Sequence, residues 1–169
     1  FFSFSKTSAY KFAKLELKWW LRQPAYDISY DEVYYRILSE DSLTCMAVGG
    51  RELRDLYIHE EVPHNGKTYK TVAIDSEAYA GWSVQSVYIP DGVREIGDMA
   101  FNRCHEVVSL DIPQSVERIG KKCFDDMKSI RSLSLPENLK KISHNAFTSC
   151  RGLRRIVIPE GVEVLDLDC

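Results

Sequence analysis

No apolar run in the 169-residue chain approaches the roughly 18 residues that a membrane-spanning helix needs. Nor is there the basic excess of a general nucleic-acid binder, which must neutralise phosphates. Lys and Arg number 22 against 25 Asp and Glu, for a net charge of −3. Cysteine is sparse at five residues, and no two stand as C-x-x-C, so zinc-ribbon and dithiol redox sites are excluded. No nucleophile elbow, phosphate loop or H-E-x-x-H motif occurs. The four histidines, His59, His64, His105 and His144, are scattered. His59 and His64 flank a turn without a third ligand in view. These gaps predict no catalytic site, no metal and no cofactor. No signal peptide is visible, and the chain begins with Phe rather than Met, so the natural start is expected to lie upstream. Hydrophobic residues make up 44% of the chain and charged ones 28%, a balance that folds rather than stays disordered.

A repeat is present. Pro90, Pro113, Pro136 and Pro159 follow one another at steps of 23 residues. Ile89, Ile112, Leu135 and Ile158 precede them, and Val93, Val116, Leu139 and Val162 follow three residues later. Ile96, Ile119, Ile142 and Leu165 keep the step, as do Phe101, Phe124 and Phe147. A fixed period of this length marks a solenoid, in which each unit buries its apolar face only against its neighbours. Within one unit, Leu110 and Ile112 alternate with polar Ser109 and Asp111, which reads as a half-buried strand. Proline ends it because it cannot donate to a ladder. Gly97 and Gly120 mark the next turn. The Lys121–Phe124 stretch then reads as one helical or 3₁₀ turn. Stacking predicts an aromatic spine of Phe101, Phe124 and Phe147, and an aliphatic one of Ile89, Ile112, Leu135 and Ile158.

The phrases SVYIPDGVREIGDMAFNRC, SLDIPQSVERIGKKCF and SLSLPENLKKISHNAFTSC resemble the BspA-like leucine-rich repeat, common in bacterial cell-surface proteins. Proline, isoleucine, Ala-Phe and cysteine columns recur together. Met127 departs from the cysteine column, Ser143 and Asp166 from the glycine, and Cys123 from the alanine. Upstream, VPHNGKTYKTVAI resembles the hairpin that often precedes such repeats, so the likeness covers about residues 26 to 169. The resemblance implies a right-handed leucine-rich-repeat solenoid, mostly β with short helical turns. It also implies an exported protein, extracellular or at the cell surface, that binds macromolecules without chemistry of its own.

Three segments follow. Residues 1–25 carry Lys6, Lys11, Lys14, Lys18 and Arg22 against one acid, Glu16. Phe12, Ala13, Leu17, Trp20 and Leu21 share one helical face. The segment reads as a helix lying on a membrane surface, as a cap over the solenoid end, or as a piece foreign to the domain. Residues 26–73 read as a β-rich cap. Val33, Tyr35 and Ile37 alternate, a turn spans residues 39–42, and Gly49-Gly50 breaks the run. Asn65-Gly66 is a two-residue type I′ hairpin signal. Residues 74–169 form the solenoid, whose last unit stops at Cys169 where the Phe column would follow, so the array is expected to continue. Cys104 and Cys150 share a column two coils apart, as do Cys123 and Cys169. Two coils separate Cα atoms by roughly 10 Å, too far for a disulfide. Free thiols ordinarily suggest a reducing compartment, which pulls against export. Trp82 is expected in the core, filling a one-residue deletion.

Two surface groups are candidate contacts. The strand face carries Tyr88, Asp111, Ser134 and Val157, flanked by Ser86, Ser109, Ser132 and Arg155; small serines let a partner backbone approach, with Tyr88 as anchor and Asp111 as acceptor. A basic group of Lys128, Arg131, Arg151, Arg154 and Arg155 offers an acidic protein or glycan a docking place, or is simply a solvated face. Arg94, Glu117, Lys140 and Glu163, and Glu95 with Arg118, read as cross-coil pairs. The function expected is recognition of an extracellular protein or glycan; the alternative is a spacer or accessory domain of a larger surface protein or enzyme. Nucleic acid is not expected as a partner, and membrane contact only through residues 1–25.

Overall fold

The computed structural model describes residues 25–165. The expected N-terminal helix, Asp166 and Cys169 lie outside the described residues.

An antiparallel meander opens the described chain: β1 (Ile28–Tyr30), β2 (Val33–Ser39) and β3 (Thr44–Gly50). Asp31 and Glu32 turn β1 into β2 with φ of 47° and 64°, a tight turn made without glycine. Gly49 and Gly50 do not break the run as expected. They pair with Tyr34 and Val33 inside β3, around an irregularity in the register. A Cβ on Gly50 would come within 2.4 Å of the Glu32 carbonyl oxygen, so the strands approach closely only because it is glycine.

β4 (Asp55–Tyr57) follows, then the hairpin of β5 (Glu61–His64) and β6 (Lys67–Ile74). His64 pairs with Lys67 across Asn65 and Gly66, whose φ values are 49° and 75°; this is the type I′ turn expected from Asn-Gly. Past it the coils repeat. Their front strands are β7 (Ser86–Tyr88), β9 (Ser109–Asp111) and β11 (Ser132–Ser134). A second side carries β8 (Glu95–Ile96), β10 (Arg118–Ile119), β12 (Lys141–Ile142) and β13 (Val164–Leu165). These pair in parallel along β6-β8-β10-β12-β13, and β3 joins β6, so meander and coils share one nine-stranded sheet. After each proline the chain folds back, with Val116 N–H on the Pro113 carbonyl at 3.1 Å and Leu139 on Pro136 at 3.1 Å.

The third side holds the largest departure from expectation. Among the described residues there is no helix. Lys121–Phe124 and its equivalents are runs of tight turns that bond from coil to coil. Met99, Phe101 and Arg103 donate to the carbonyls of Lys121, Cys123 and Asp125 in the next coil, at 2.8–2.9 Å. Lys122, Phe124 and Asp126 repeat this onto His144, Ala146 and Thr148. The geometry requires a positive φ at Met99 and Arg103, Lys122 and Asp126, and Asn145 and Ser149, between 51° and 62°. A helix would direct these donors along its own axis; the turn ribbon turns them toward the neighbouring coil.

The core matches the periodic columns except in the last coil, where Leu165 is 54% exposed. Phe101 and Phe124 stack at 5.9 Å and Phe124 and Phe147 at 5.6 Å between ring centroids, nearly parallel. Tyr79 extends the spine at 5.4 Å, and Trp82 packs edge-on against it. Ile89, Ile112 and Leu135 are buried, but Ile158 is 39% exposed and does not complete the aliphatic column. Cys104 and Cys150 are free thiols, as are Cys45 and Cys123. The Cys104 thiol donates to the Tyr79 carbonyl at 3.2 Å and the Cys150 thiol to Phe124 at 3.0 Å. Burial pushes Cys104 up to about 12, so it stays protonated and donates.

Gly97 and Gly120 are needed for close approach, not for a left-handed turn. A Cβ on Gly120 would lie 2.5 Å from the Asp98 nitrogen and from the Gly97 carbonyl carbon.

Candidate functional site

The strand face is a partial ladder. β4 pairs with β7, placing Tyr57 beside Tyr88, and β9 pairs with β11, placing Ser132 beside Ser109 and Ser134 beside Asp111. Among the described residues no ladder joins β7 to β9. At that interruption lies a concavity of about 370 Å³ lined by Ser86, Tyr88, Asp91, Ser109 and Asp111 among others. The structure thus gathers Ser86, Tyr88, Ser109 and Asp111, and sets Ser132 and Ser134 one strand away. Arg155 and Val157 do not extend the ladder, because residues 152–158 form no strand.

Four aromatic rings run in a row from the meander onto this face. Tyr30 meets His59 edge-on at 4.8 Å, and His59 meets Tyr57 edge-on at 4.9 Å. Tyr57 then stacks on Tyr88 at 4.5 Å with the planes 6° apart. The tyrosines are well exposed, Tyr57 at 51% and Tyr88 at 46%. Desolvation, with Tyr57 alongside, raises the Tyr88 hydroxyl above its ordinary value, so this phenol is neutral at physiological pH.

His59 holds the row in place. Its Nδ1 lies 3.2 Å from the buried Tyr35 hydroxyl, its backbone N–H donates to that hydroxyl at 3.0 Å, and its Nε2 faces the Asp31 carboxylate at 3.3 Å. The Thr71 hydroxyl donates to its carbonyl at 2.6 Å. The two ring nitrogens are thus held between the Tyr35 hydroxyl and the Asp31 carboxylate. His64 serves elsewhere, against Asn65 and Tyr69. Among the described residues no three His, Cys, Asp or Glu side chains gather as a metal site.

Sequence reasoning missed Tyr57, Tyr30 and His59. A signal existed for Tyr57: Leu56-Tyr57-Ile58 repeats Val87-Tyr88-Ile89 in residue type. The inserted β5–β6 hairpin lengthens the spacing to 31 residues and hides it from a search at 23. Tyr30 reaches the row only through the meander, which no repeat describes.

On another part of the surface, Lys128, Arg131, Arg151 and Arg154 line a concavity of about 830 Å³, with Val108, Ser129 and Gly152. Arg155 is not among its lining. Lys128 pairs with Asp126 at 3.4 Å, and Asp126 also meets His105 at 3.0 Å. The hydrogen bond from His105, with Lys128 beside it, holds the Asp126 carboxyl below its ordinary value. Of the expected cross-coil pairs, Glu117 takes Lys140 at 3.1 Å and Glu95 takes Arg118.

Several solved structures resemble the chain. A leucine-rich repeat protein from Bacteroides ovatus is 35% identical, with a TM-score of 0.77 over 83% of this chain and 37% of that one. A leucine-rich repeat protein from Bacteroides capillosus (19% identity, TM-score 0.69, 82% of this chain and 96% of that one) shares the fold. So does the leucine rich repeat protein of T. pallidum (20% identity, TM-score 0.59, 75% of this chain and 69% of that one). The chain thus spans little more than a third of the length of the Bacteroides ovatus protein. No curated protein matches it. Six copies of the BspA type leucine rich repeat region match residues 69–169, more than half of the sequence, and the chain belongs to that family.

Proposed function

We propose that the chain is a non-enzymatic recognition module of a secreted or cell-surface protein, which grips an extracellular protein or glycan across its strand face. The observation that carries this reading is the row Tyr30–His59–Tyr57–Tyr88, its tyrosines exposed, ending at the concavity beside Asp111. Tyrosines offer large apolar contact area at little entropic cost, and they are enriched where binding energy concentrates. Asp91 and Asp111 are acceptors for hydroxyl or amide donors of the partner, and Ser86 and Ser109 keep the approach open. Export is what membership of this family suggests. No helix among the described residues is long and apolar enough to cross a membrane.

The test is a binding screen of the chain against extracellular-matrix proteins and glycans, with a Tyr57→Ala/Tyr88→Ala variant alongside. Loss of about 30-fold or more in affinity in the variant, ~2 kcal/mol, fits paired anchor residues. A ligand bound equally by both proteins would remove the tyrosine row from the account. A folded chain that binds nothing in the screen would favour a spacer role.

A further inference from the structure

The concavity lined by Lys128, Arg131, Arg151 and Arg154 departs from the charge pattern seen on the β8–β10–β12 sheet. There, successive coils set opposite charges side by side, Glu95 with Arg118 and Glu117 with Lys140. At the corner before the front strands, the 23-residue step instead stacks Arg154 on Arg131 and Arg151 on Lys128. Like charges at adjacent rungs repel. Among the described residues, Arg131, Arg151 and Arg154 have no ion-pair partner, and Asp126 at the rim is already held by His105 and Lys128. The whole chain is acidic at −3, so this is a local concentration of cations, not a by-product of a basic protein. It surrounds about 830 Å³ of open space.

We infer that this corner is a binding site for a sulfated polysaccharide. Guanidinium forks match the oxygen pairs of sulfate, and an anion lying between stacked cations relieves their repulsion. No aromatic side chain lines the site, so a single-stranded nucleic acid would find nothing to stack on. Val108 is the one apolar lining residue besides the glycine, so an acidic peptide would lack a buried anchor. The inference is independent of the tyrosine row, which involves different residues.

The experiment titrates the chain with a size-defined heparin oligosaccharide at several salt concentrations. A desulfated heparin of equal length, a single-stranded DNA oligonucleotide and poly-glutamate serve as comparison probes. Heparin is expected to bind at least about tenfold more tightly than each of the others, with an affinity that falls steeply as salt rises, as polyanion contacts dictate. Arg131→Gln/Arg154→Gln should lose about tenfold or more in heparin affinity. Its circular dichroism and melting should match the parent, since both side chains are exposed. Arg94→Gln, which removes a charge elsewhere, should bind heparin as the parent does. Equal binding of desulfated heparin, a preference for DNA or poly-glutamate, unchanged heparin affinity in the double arginine variant, or no heparin binding at all would each overturn the inference.

Discussion

Phe124 and Tyr79 occupy the same column of the aromatic spine and should respond to truncation in opposite ways. Phe124 is fully buried between Phe101 and Phe147. Phe124→Ala removes most of a ring and leaves a cavity that stacked coils cannot collapse to fill. The expected loss is about 3–5 kcal/mol in chemical denaturation; a loss under about 1 kcal/mol would remove the residue from the core. Tyr79 is equally buried, yet its hydroxyl has no hydrogen-bond partner among the described residues. Burying an unpaired hydroxyl costs about 1–3 kcal/mol. Tyr79→Phe therefore keeps the stacking and should leave stability unchanged or raise it. Destabilisation by that change would show that the hydroxyl has a partner. The spine itself was legible in the sequence, because a 23-residue step in aromatic residues admits little else. The orphan hydroxyl was not, since a Tyr and a Phe share the same apolar pattern.

Among elements, the glycine column and the turn ribbon determine how closely coils approach. Gly120 donates its N–H to Ile96 at 2.9 Å while facing the Asp98 and Gly97 backbone. Gly120→Ala would press a methyl group into backbone atoms that have no rotamer to adjust. It should cost about 1–3 kcal/mol in denaturant midpoint and slope analysis, as overpacking does. A neutral result would mean that the coils can separate at this point. The ribbon of turns was misread as helix because Lys-Lys-Cys-Phe has no local feature to oppose one. What prevents a helix is not in the segment: its N–H groups are claimed by carbonyls one coil away. The left-handed positions are taken by Met, Arg, Lys, Asp, Asn and Ser rather than glycine, so only Asp126 and Asn145 carried the usual residue signal. Cross-coil bonds outweigh the local cost, roughly 1 kcal/mol per residue.

At the scale of the whole molecule, meander, inserted hairpin and the second side of the coils share one nine-stranded sheet, and the described residues pack into one contiguous core. Such a protein should unfold in a single transition. Far-UV circular dichroism and tyrosine fluorescence should melt together; two separated transitions would show that the meander and the coils are independent folding units. The surface is divided in sign: acidic and aromatic near Tyr57 and Tyr88, basic near Arg131 and Arg154.

The sequence alone determined the solenoid, its 23-residue step, its inward columns up to the last coil, the Asn65-Gly66 turn and two of the charge pairs up the stack, Glu95 with Arg118 and Glu117 with Lys140. Each of these is written in residue spacing, and spacing converts directly to neighbours when identical units stack. It also named four lining residues of each concavity, because exposed columns follow from buried ones. Only the tertiary structure decided that β4 joins the front face, that Tyr30 and His59 complete the tyrosine row, and that the strand ladder is interrupted beside Asp111. These depend on where an inserted hairpin and a non-repeating meander return the chain, and such long-range closures leave no period to read.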